Sequence, residues 1–153
     1  MWEIFRDVVR PGDTYVFAPD TPAEVAHDYF LGPGVRSWVV EDGNAIVGMY
    51  KLIPNRRDLG SHVANASFMV HPKTQGRGIG RAMGEHCLAE ARTAGFLAIQ
   101  FNFVVSTNTR AVELWRALGF EIVGTLPKAF NHQTLGFVDA YVMYRELQGA
   151  TRA

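Results

Sequence analysis

The residues best placed to do chemistry form a run of glycines and arginines in the middle of the chain. Glycine permits tight or positive-φ backbone and keeps side chains clear of an approaching ligand. A helix that starts in such a run leaves its first N–H groups unpaired and carries a partial positive charge at that end, so phosphate binds there readily. The sequence therefore predicts a cradle of backbone amides for an anionic ligand, made by Gln75, Gly76, Arg77, Gly78, Ile79, Gly80 and Arg81.

The spacing within this cradle argues against two common nucleotide sites. It lacks the G-K-[ST] ending of a nucleotide-hydrolysing phosphate loop, and it does not match the G-x-G-x-x-G pattern of dinucleotide binding. Gln75 to Gly80 instead resembles the Q/R-x-x-G-x-G/A signature of the GCN5-related N-acetyltransferases. In that family the loop holds the pyrophosphate of acetyl-coenzyme A. The resemblance implies acetyl-coenzyme A as co-substrate, with the backbone edges of Met69 and Val70 pairing with its pantetheine arm.

A second segment carries the same resemblance. The run N-T-R-A-V-E-L-W-R-A-L-G-F is similar to the family's N-x-x-A-x-x-L-Y-x-x-x-G-F helix. Two family segments in the right order, about thirty residues apart, are far more specific than either alone. The resemblance implies that Asn108 contacts pantetheine, and capping of the following helix is a compatible second role for it. The positions in register are Asn108, Ala111, Leu114, Gly119 and Phe120.

The chain departs from the commonest family pattern at two positions. Many relatives carry a tyrosine where Trp115 stands, and its phenol protonates the departing thiolate, which an indole cannot do. Several relatives also place a glutamate near Asn65, in a strand that has no carboxylate here. Asn65 cannot accept a proton at neutral pH, but it can orient an acceptor's carboxylate or polarise a carbonyl. The remaining candidate bases are His62, His132 and Asp139. For each of them a structural or solvated role is more common than a role as the base.

Two further resemblances concern the acceptor. The run F-N-F-V-V-S-T-N is similar to that of fungal acetyltransferases acting on proline analogues such as azetidine-2-carboxylate, and implies catalytic roles for Asn65 and Asn102. A buried asparagine costs about 1–3 kcal/mol unless it is paired, so Asn102 needs backbone or ligand partners. The segments T-Y-V-F-A-P and G-T-L-P-K-A-F-N-H resemble phosphinothricin-type acetyltransferases. Both imply a small amino acid as acceptor. The aromatic and polar loop residues predicted to close over it are Thr14, Tyr15, Phe17, Phe130 and His132.

The hydrophobic periodicity predicts an α/β fold with the order α-α-β-β-β-α-β-α-β-β. A capping box at 21–24 should open the second helix, and residues 127–136 should form a loop. This order favours a mixed, mostly antiparallel sheet flanked by helices, the acyl-coenzyme A N-acyltransferase fold of the family. The strand that normally precedes the first helix is missing, so the chain is truncated or starts late, and a sheet edge is expected to be open. Residues 1–153 are predicted to form one domain. Helices are expected at 1–10, 21–30, 80–94 and 108–118, and strands at 35–40, 45–53, 62–70, 96–105, 120–126 and 137–144.

The amino-acid composition limits the classes of partner that the protein is expected to bind. The chain has 15 basic and 15 acidic residues, so no overall field recruits nucleic acid or an acidic membrane. The N-terminus lacks the pattern of a signal peptide, and no apolar run approaches the length of a membrane span. The lone Cys87 cannot form an internal disulfide, which favours a cytoplasmic location, and it is expected to be buried and inert. We expect no metal. Because related enzymes are often dimers, a homodimer is possible.

The sequence thus predicts an acetyl-coenzyme A dependent N-acetyltransferase that transfers the acetyl group directly to a small-molecule amine in a ternary complex. Two alternatives stay open at this stage. The absence of a strand carboxylate and the tryptophan at 115 are compatible with a non-catalytic acyl-coenzyme A sensor. Acetylation of protein N-termini or lysines would instead give activity on peptides and little on free amino acids.

Overall fold

The helices and strands follow one another in the predicted order. The computed structural model describes residues 1–147. Short 3₁₀ helices lie at Asp58–Gly60 and Pro72–Thr74. The main elements are α1 (Trp2–Val9), α2 (Ala23–Leu31), β1 (Arg36–Asp42), β2 (Ala45–Pro54), β3 (Val63–Val70), α3 (Ile79–Thr93), β4 (Ala98–Val105), α4 (Thr109–Ala117), β5 (Glu121–His132) and β6 (Gly136–Glu146).

The six strands form one sheet in the order β1-β2-β3-β4-β6-β5. The β3–β4 pair is parallel and the other four pairs are antiparallel. This confirms the predicted mixed, mostly antiparallel sheet. None of the helices in residues 1–147 is long and apolar enough to cross a membrane.

Two local predictions are wrong. Residues 127–132 belong to β5, because a register shift between Leu126 and Phe130 absorbs Pro127, which cannot donate a ladder hydrogen bond. The capping box before α2 does not form either. Pro22 is the N-cap, with no side-chain cap bond, and the Thr21 hydroxyl donates instead to the Ala18 carbonyl at 2.6 Å.

The sheet is covered on both faces, and strand alternation decides which side chains go to which core. On β3, Ala64 and Ala66 belong to the larger core with α3 and α4, whereas Met69 belongs to a smaller core with α1 and α2. Phe68 and Val70 pack on the larger core from its edge. This is the separation that the period of two predicts for β3. The face of β3 that carries Asn65 and Ser67 is therefore the α1–α2 face.

The two strands at the centre of the sheet separate along most of their length. The parallel pairs between β3 and β4 are Val63 with Ala98 and Ala64 with Ile99. Further along, β4 contains a register shift against β6 between Phe101 and Val104. Such a bulge bends the strand that carries it. The bend leaves a cleft between β3 and β4 at the end of the sheet where the cradle lies.

Close packing of α3 onto the sheet fixes the position of the cradle. Gly48 on β2 lies opposite Val70, the last residue of β3. A Cβ at Gly48 would meet Ile79 Cγ2 at 2.9 Å and Met83 Sδ at 3.1 Å. The first turns of α3 can therefore approach the sheet this closely because residue 48 has no side chain.

We predict that Gly48→Ala lowers the free energy of unfolding by about 1–3 kcal/mol, because the added methyl overpacks this contact. Gly124→Ala on β5 is the matched control, since its Cβ would meet nothing closer than Val142 Cβ at 3.9 Å. The control should stay within about 0.5 kcal/mol of the wild type in urea unfolding. Equal losses in the two variants would contradict the packing account.

Candidate active site

The cleft between β3 and β4 holds a cavity of about 270 Å³, which we call the inner cavity. Its walls come from β3, from the bulged part of β4, from the start of α4 and from the loop before α2. Two of the predicted catalytic residues, Asn65 and Asn102, line it, as do Thr14, Tyr15 and Phe17. The structure therefore brings these five predicted site residues together.

A larger groove of about 740 Å³, which we call the outer groove, adjoins the inner cavity. It is lined by Met69 and Val70, by Asn108 and by most of the cradle. Arg77 is not among its lining residues. The groove and the inner cavity meet, because six residues line both: Thr14, Tyr15, Phe68, Asn108, Ala111 and Trp115.

The cradle has the backbone geometry that its glycines predict. Gly76 and Gly78 have φ values of 82° and 79°, and Gly78 is the N-cap of α3. The bond from Ala82 N–H to the Gly78 carbonyl, at 3.0 Å, is the first of the helix. The amides of residues 79–81 precede it and lie at the positive end of a 15-residue helix. This arrangement is suited to an anion.

Exposed polar contacts hold the rim of the cradle. Arg77 Nη2 lies 2.8 Å from Asp42 Oδ2, and Arg110 Nη1 donates to Gln75 Oε1 at 2.9 Å. Arg81 Nη1 lies 3.6 Å from Glu85 Oε1. Because these side chains are solvent-exposed, their net contribution to stability is small and they are free to exchange partners.

The backbone groups on the cleft side of β3, beside the outer groove, belong to Phe68 and Val70. His71 N–H donates to the Val47 carbonyl of β2, and the continuous register assigns Met69 to the same ladder opposite Met49. Successive residues of a strand direct their backbone groups to opposite sides. The prediction that Met69 offers backbone groups is therefore corrected, and Phe68 is a site residue that sequence reasoning missed.

A chain of side-chain amides forms the end of the inner cavity. Asn65 Nδ2 donates to the Gln100 carbonyl at 2.9 Å, which ties β3 to β4 where they separate. Gln100 Nε2 donates to Asn102 Oδ1 at 2.8 Å, and Asn102 Nδ2 donates to Asn55 Oδ1 at 2.7 Å. Within the protein, Asn102 thus pairs with side chains and not with the backbone that the sequence suggested as one alternative. Among residues 1–147 no group donates a hydrogen bond to Asn65 Oδ1. Of the two polar atoms of this side chain, Oδ1 is therefore the one available to a ligand.

Aromatic side chains from the loop before α2 and from α2 itself close the inner cavity. The Tyr15 hydroxyl donates to the Phe68 carbonyl at 2.6 Å, and burial raises the pKa of Tyr15. Phe17 packs edge-on against Tyr29 with ring centroids 5.0 Å apart. Tyr29 also lines the cavity and shares a 2.5 Å hydrogen bond with Ser67. Neither Tyr29 nor Ser67 was predicted as a site residue.

Two predicted acceptor residues lie elsewhere. Phe130 is buried on β5 and packs against Phe103, whereas the His132 ring accepts hydrogen bonds from the amides of Thr134 and Leu135 in the β5–β6 turn. Neither lines the inner cavity or the outer groove. They were assigned to a loop over the ligand, but that segment continues as β5.

The inner cavity has no charged lining residue. His62 is exposed, and Asp139 Oδ1, on β6, accepts from the Lys128 amide of β5 at 2.8 Å. Across residues 1–147 no group of three His, Cys, Asp or Glu side chains is arranged to hold a metal ion. The chemistry that this lining supplies is hydrogen bonding by neutral amides and hydroxyls.

Trp115 and Cys87 belong to the larger core. Trp115 is 7% exposed and packs against Phe68 and Phe101 with ring centroids 4.7 and 4.8 Å apart. Its indole thus supports the Phe68 side of both cavities. Burial raises the pKa of the Cys87 thiol to about 12, which leaves it protonated and unreactive at neutral pH. The prediction that Cys87 is buried is confirmed.

Comparison with known proteins agrees with this fold. The model of the acetyltransferase (GNAT) family matches residues 2–120. An N-acetyltransferase, aca1 of Schizosaccharomyces pombe, is 31% identical over 113 residues, which are 72% of this chain and 53% of that protein. The chain thus spans about half the length of that curated relative.

Solved structures give the same result. A GCN5-related N-acetyltransferase from Kribbella flavida is 44% identical, with a TM-score of 0.88 over 94% of this chain and 88% of that one. A phosphinothricin acetyltransferase from Sinorhizobium meliloti, solved in complex with acetyl-coenzyme A, is 25% identical with a TM-score of 0.81, over 99% of this chain and 84% of that one. This chain belongs to the acetyltransferase (GNAT) family, as its two motifs predicted.

We predict that Asn55→Ala lowers the free energy of unfolding by about 1–3 kcal/mol, because Asn102 Nδ2 loses its acceptor inside the protein. Asn131→Ala is the control, since Asn131 is exposed on β5, and it should change stability by less than about 0.5 kcal/mol. Urea unfolding of both variants measures the difference. A loss at Asn55 no larger than that at Asn131 would show that the amide chain does not support the cavity.

Proposed function

We propose that this protein transfers the acetyl group of acetyl-coenzyme A to the amine of a small acceptor, an amino acid or an analogue of one, by direct attack in a ternary complex. The observation that carries the proposal is the junction of the two cavities at Phe68, Asn108 and Trp115. Groups bound in the outer groove and in the inner cavity would meet at this junction. Proximity of that kind supplies much of the rate enhancement in a two-substrate reaction.

The outer groove suits the coenzyme. The pyrophosphate would lie on the amides of residues 79–81, since they carry the positive end of α3. The Phe68 N–H and the backbone groups of Val70 face the cleft and can pair with an extended arm as a neighbouring strand does. The N–H groups on this edge are the donors available to polarise a thioester carbonyl near the junction.

The inner cavity favours a small acceptor. Its volume of about 270 Å³ lies just below the ~300–1,000 Å³ typical of sites for drug-sized ligands. Tyr15, Phe17 and Tyr29 cover it on one side. A peptide or protein acceptor would need an open path past these rings, which is why we favour a free amino acid or amine.

In this reaction the protein would orient the acceptor amine and would supply no strong base. Asn65 Oδ1 can accept a hydrogen bond from the acceptor amine, and an amide does not take up its proton at neutral pH. The amine would therefore react from its neutral form, with its proton lost to water. A thiol with a pKa near 8.5 leaves tolerably as thiolate, so the indole at position 115 does not stop the reaction.

A thiol-release assay tests the proposal. Acetyl-coenzyme A is supplied with a panel of free amino acids, secondary amines such as proline analogues, and short peptides. We expect at least one free amino acid or analogue to stimulate release about tenfold or more over the rate without acceptor. If no amine stimulates release, a non-catalytic acyl-coenzyme A sensor is favoured. This is the second candidate function, because no charged residue that could act as a base lines the inner cavity. Stimulation by peptides alone would favour protein acetylation.

A matched pair of variants shows whether release comes from this site. Gly78 in the cradle and Gly136 at the start of β6 have φ values of 79° and 74°, with nothing within 4 Å of an added Cβ. Gly78→Val and Gly136→Val therefore carry the same backbone strain. Only Gly78→Val should abolish coenzyme binding and release. Retention of both by Gly78→Val would place the coenzyme elsewhere.

We predict that Trp115→Tyr keeps turnover within about tenfold of the wild type while lowering stability by about 1–3 kcal/mol, because a smaller ring leaves a void in the larger core. The control for loss of a tryptophan elsewhere is Trp38→Tyr. The Trp38 ring stacks on the Tyr50 ring with centroids 4.9 Å apart and lies outside both cavities. Turnover rates and melting curves are compared for the two. A large rise in turnover in Trp115→Tyr alone would show that a missing general acid limits the rate.

A further inference from the structure

The inner cavity lacks a charged lining residue, yet a buried cation lies directly behind its wall. Lys51 on β2 is 6% exposed, and its Nζ donates to the Tyr29 carbonyl at 3.0 Å. The same Nζ lies 3.2 Å from the centre of the Tyr29 ring. None of the ion pairs found within residues 1–147 includes Lys51.

The contacts of Lys51 compensate its charge only in part. Tyr29 is in the last turn of α2, where carbonyls lack intrahelical partners and carry partial negative charge. The ring face adds a cation–π contact. Burial without an anionic partner still lowers the pKa of Lys51 to about 8. An anion bound nearby would favour the charged form of Lys51 and offset this desolvation.

The nearest place for such an anion is the inner cavity. Ser67 on β3 is paired directly with Lys51 across the β2–β3 ladder, so the two side chains share one face of the sheet. Ser67 and Tyr29 line the cavity and share their 2.5 Å hydrogen bond there. Tyr29 and Ser67 thus connect Lys51 with the cavity, since both lie beside Lys51 and both line the cavity. The hydroxyl that accepts in their shared bond keeps its own O–H free to donate to a bound oxygen atom.

We propose that Lys51 makes the inner cavity selective for acceptors that carry a carboxylate, with the Tyr29 and Ser67 hydroxyls as the groups that touch it. This inference rests on the proposed acetyl transfer and deepens it, since it names the residue that would select the carboxylate of the acceptor. Lys51 acts through Tyr29 and Ser67 and is a specificity-determining residue. It takes no part in the bonds that form and break.

Two substrates and two variants separate this role from a purely structural one. The substrates are an amino acid that the wild type acetylates and the primary amide of the same amino acid, which lacks the negative charge. The variants are Lys51→Met, which keeps the length of the side chain, and Lys128→Met, which removes an exposed lysine on β5. Lys51→Met should lower kcat/KM for the amino acid about tenfold or more, mainly through KM, and change that for the amide by less than about twofold.

Lys128→Met should change neither substrate's kcat/KM by more than about twofold, since Lys128 lies outside both cavities. Equal losses for the amino acid and its amide in Lys51→Met would assign Lys51 a structural role and overturn the proposal. An unchanged kcat/KM for the amino acid would overturn it as well. If the wild type turns over no amine, the proposed acetyl transfer fails instead, and the binding measurement below decides the role of Lys51.

Calorimetry on the wild type keeps the inference testable if Lys51→Met does not fold. The ligands are an N-acetyl amino acid and its primary amide, which have no amine to titrate. Of the groups packed against Lys51, α2 presents the Tyr29 phenol, whose pKa is raised by burial, while β1 and β3 present the hydroxyls of Ser37 and Ser67. The preference for the acid should be present at pH 6.5 and largely lost by pH 9.5, as Lys51 loses its proton with a pKa of about 8. A preference that is absent at pH 6.5, or unchanged at pH 9.5, would overturn the proposal.

Discussion

The separation of β3 from β4 is the constraint on which the rest of this structure depends. These strands pair at the positions of Val63 and Ala64, and the bulge after Phe101 then bends β4 away. An open gap inside a sheet would leave backbone groups unpaired, which is costly. The protein compensates with side chains: Asn65 bridges to the Gln100 carbonyl and Tyr15 donates to the Phe68 carbonyl. The groups that remain free face the two cavities.

The composition of the site follows from that geometry. In the proposed reaction the backbone of the cleft would supply donors for a ligand in the outer groove, and the amides and hydroxyls around the inner cavity would orient a second ligand. No charged residue lines the inner cavity, and Lys51 lies behind the wall formed by Tyr29 and Ser67. A neutral lining avoids the cost of burying ions without partners. In the proposed reaction it also means that orientation and polarisation contribute more than proton transfer does.

Sequence reasoning predicted the family, the order of elements and the position of the cradle, because these depend on local patterns: glycines at a helix start, the Asn108 cap and the alternation along β3. It missed Phe68, Tyr29, Ser67 and Asn55, because their roles depend on which strands separate and on which side of a strand the backbone groups point. It assigned His132 to a ligand loop because Pro127 and Gly136 bracket a segment that reads as a loop. The register shift in β5 is a tertiary feature that no local pattern marks.

We propose that the two cavities are one site in which a coenzyme and an amine acceptor meet. A crystal structure of the protein with coenzyme A and a carboxylate-bearing acceptor would show this arrangement. We expect the pyrophosphate on the amides of residues 79–81, the acceptor in the inner cavity beside Asn65 Oδ1, and its nitrogen within about 3–4 Å of the thiol at the junction near Phe68. An acceptor bound outside the inner cavity, or a thiol directed away from it, would contradict this proposal.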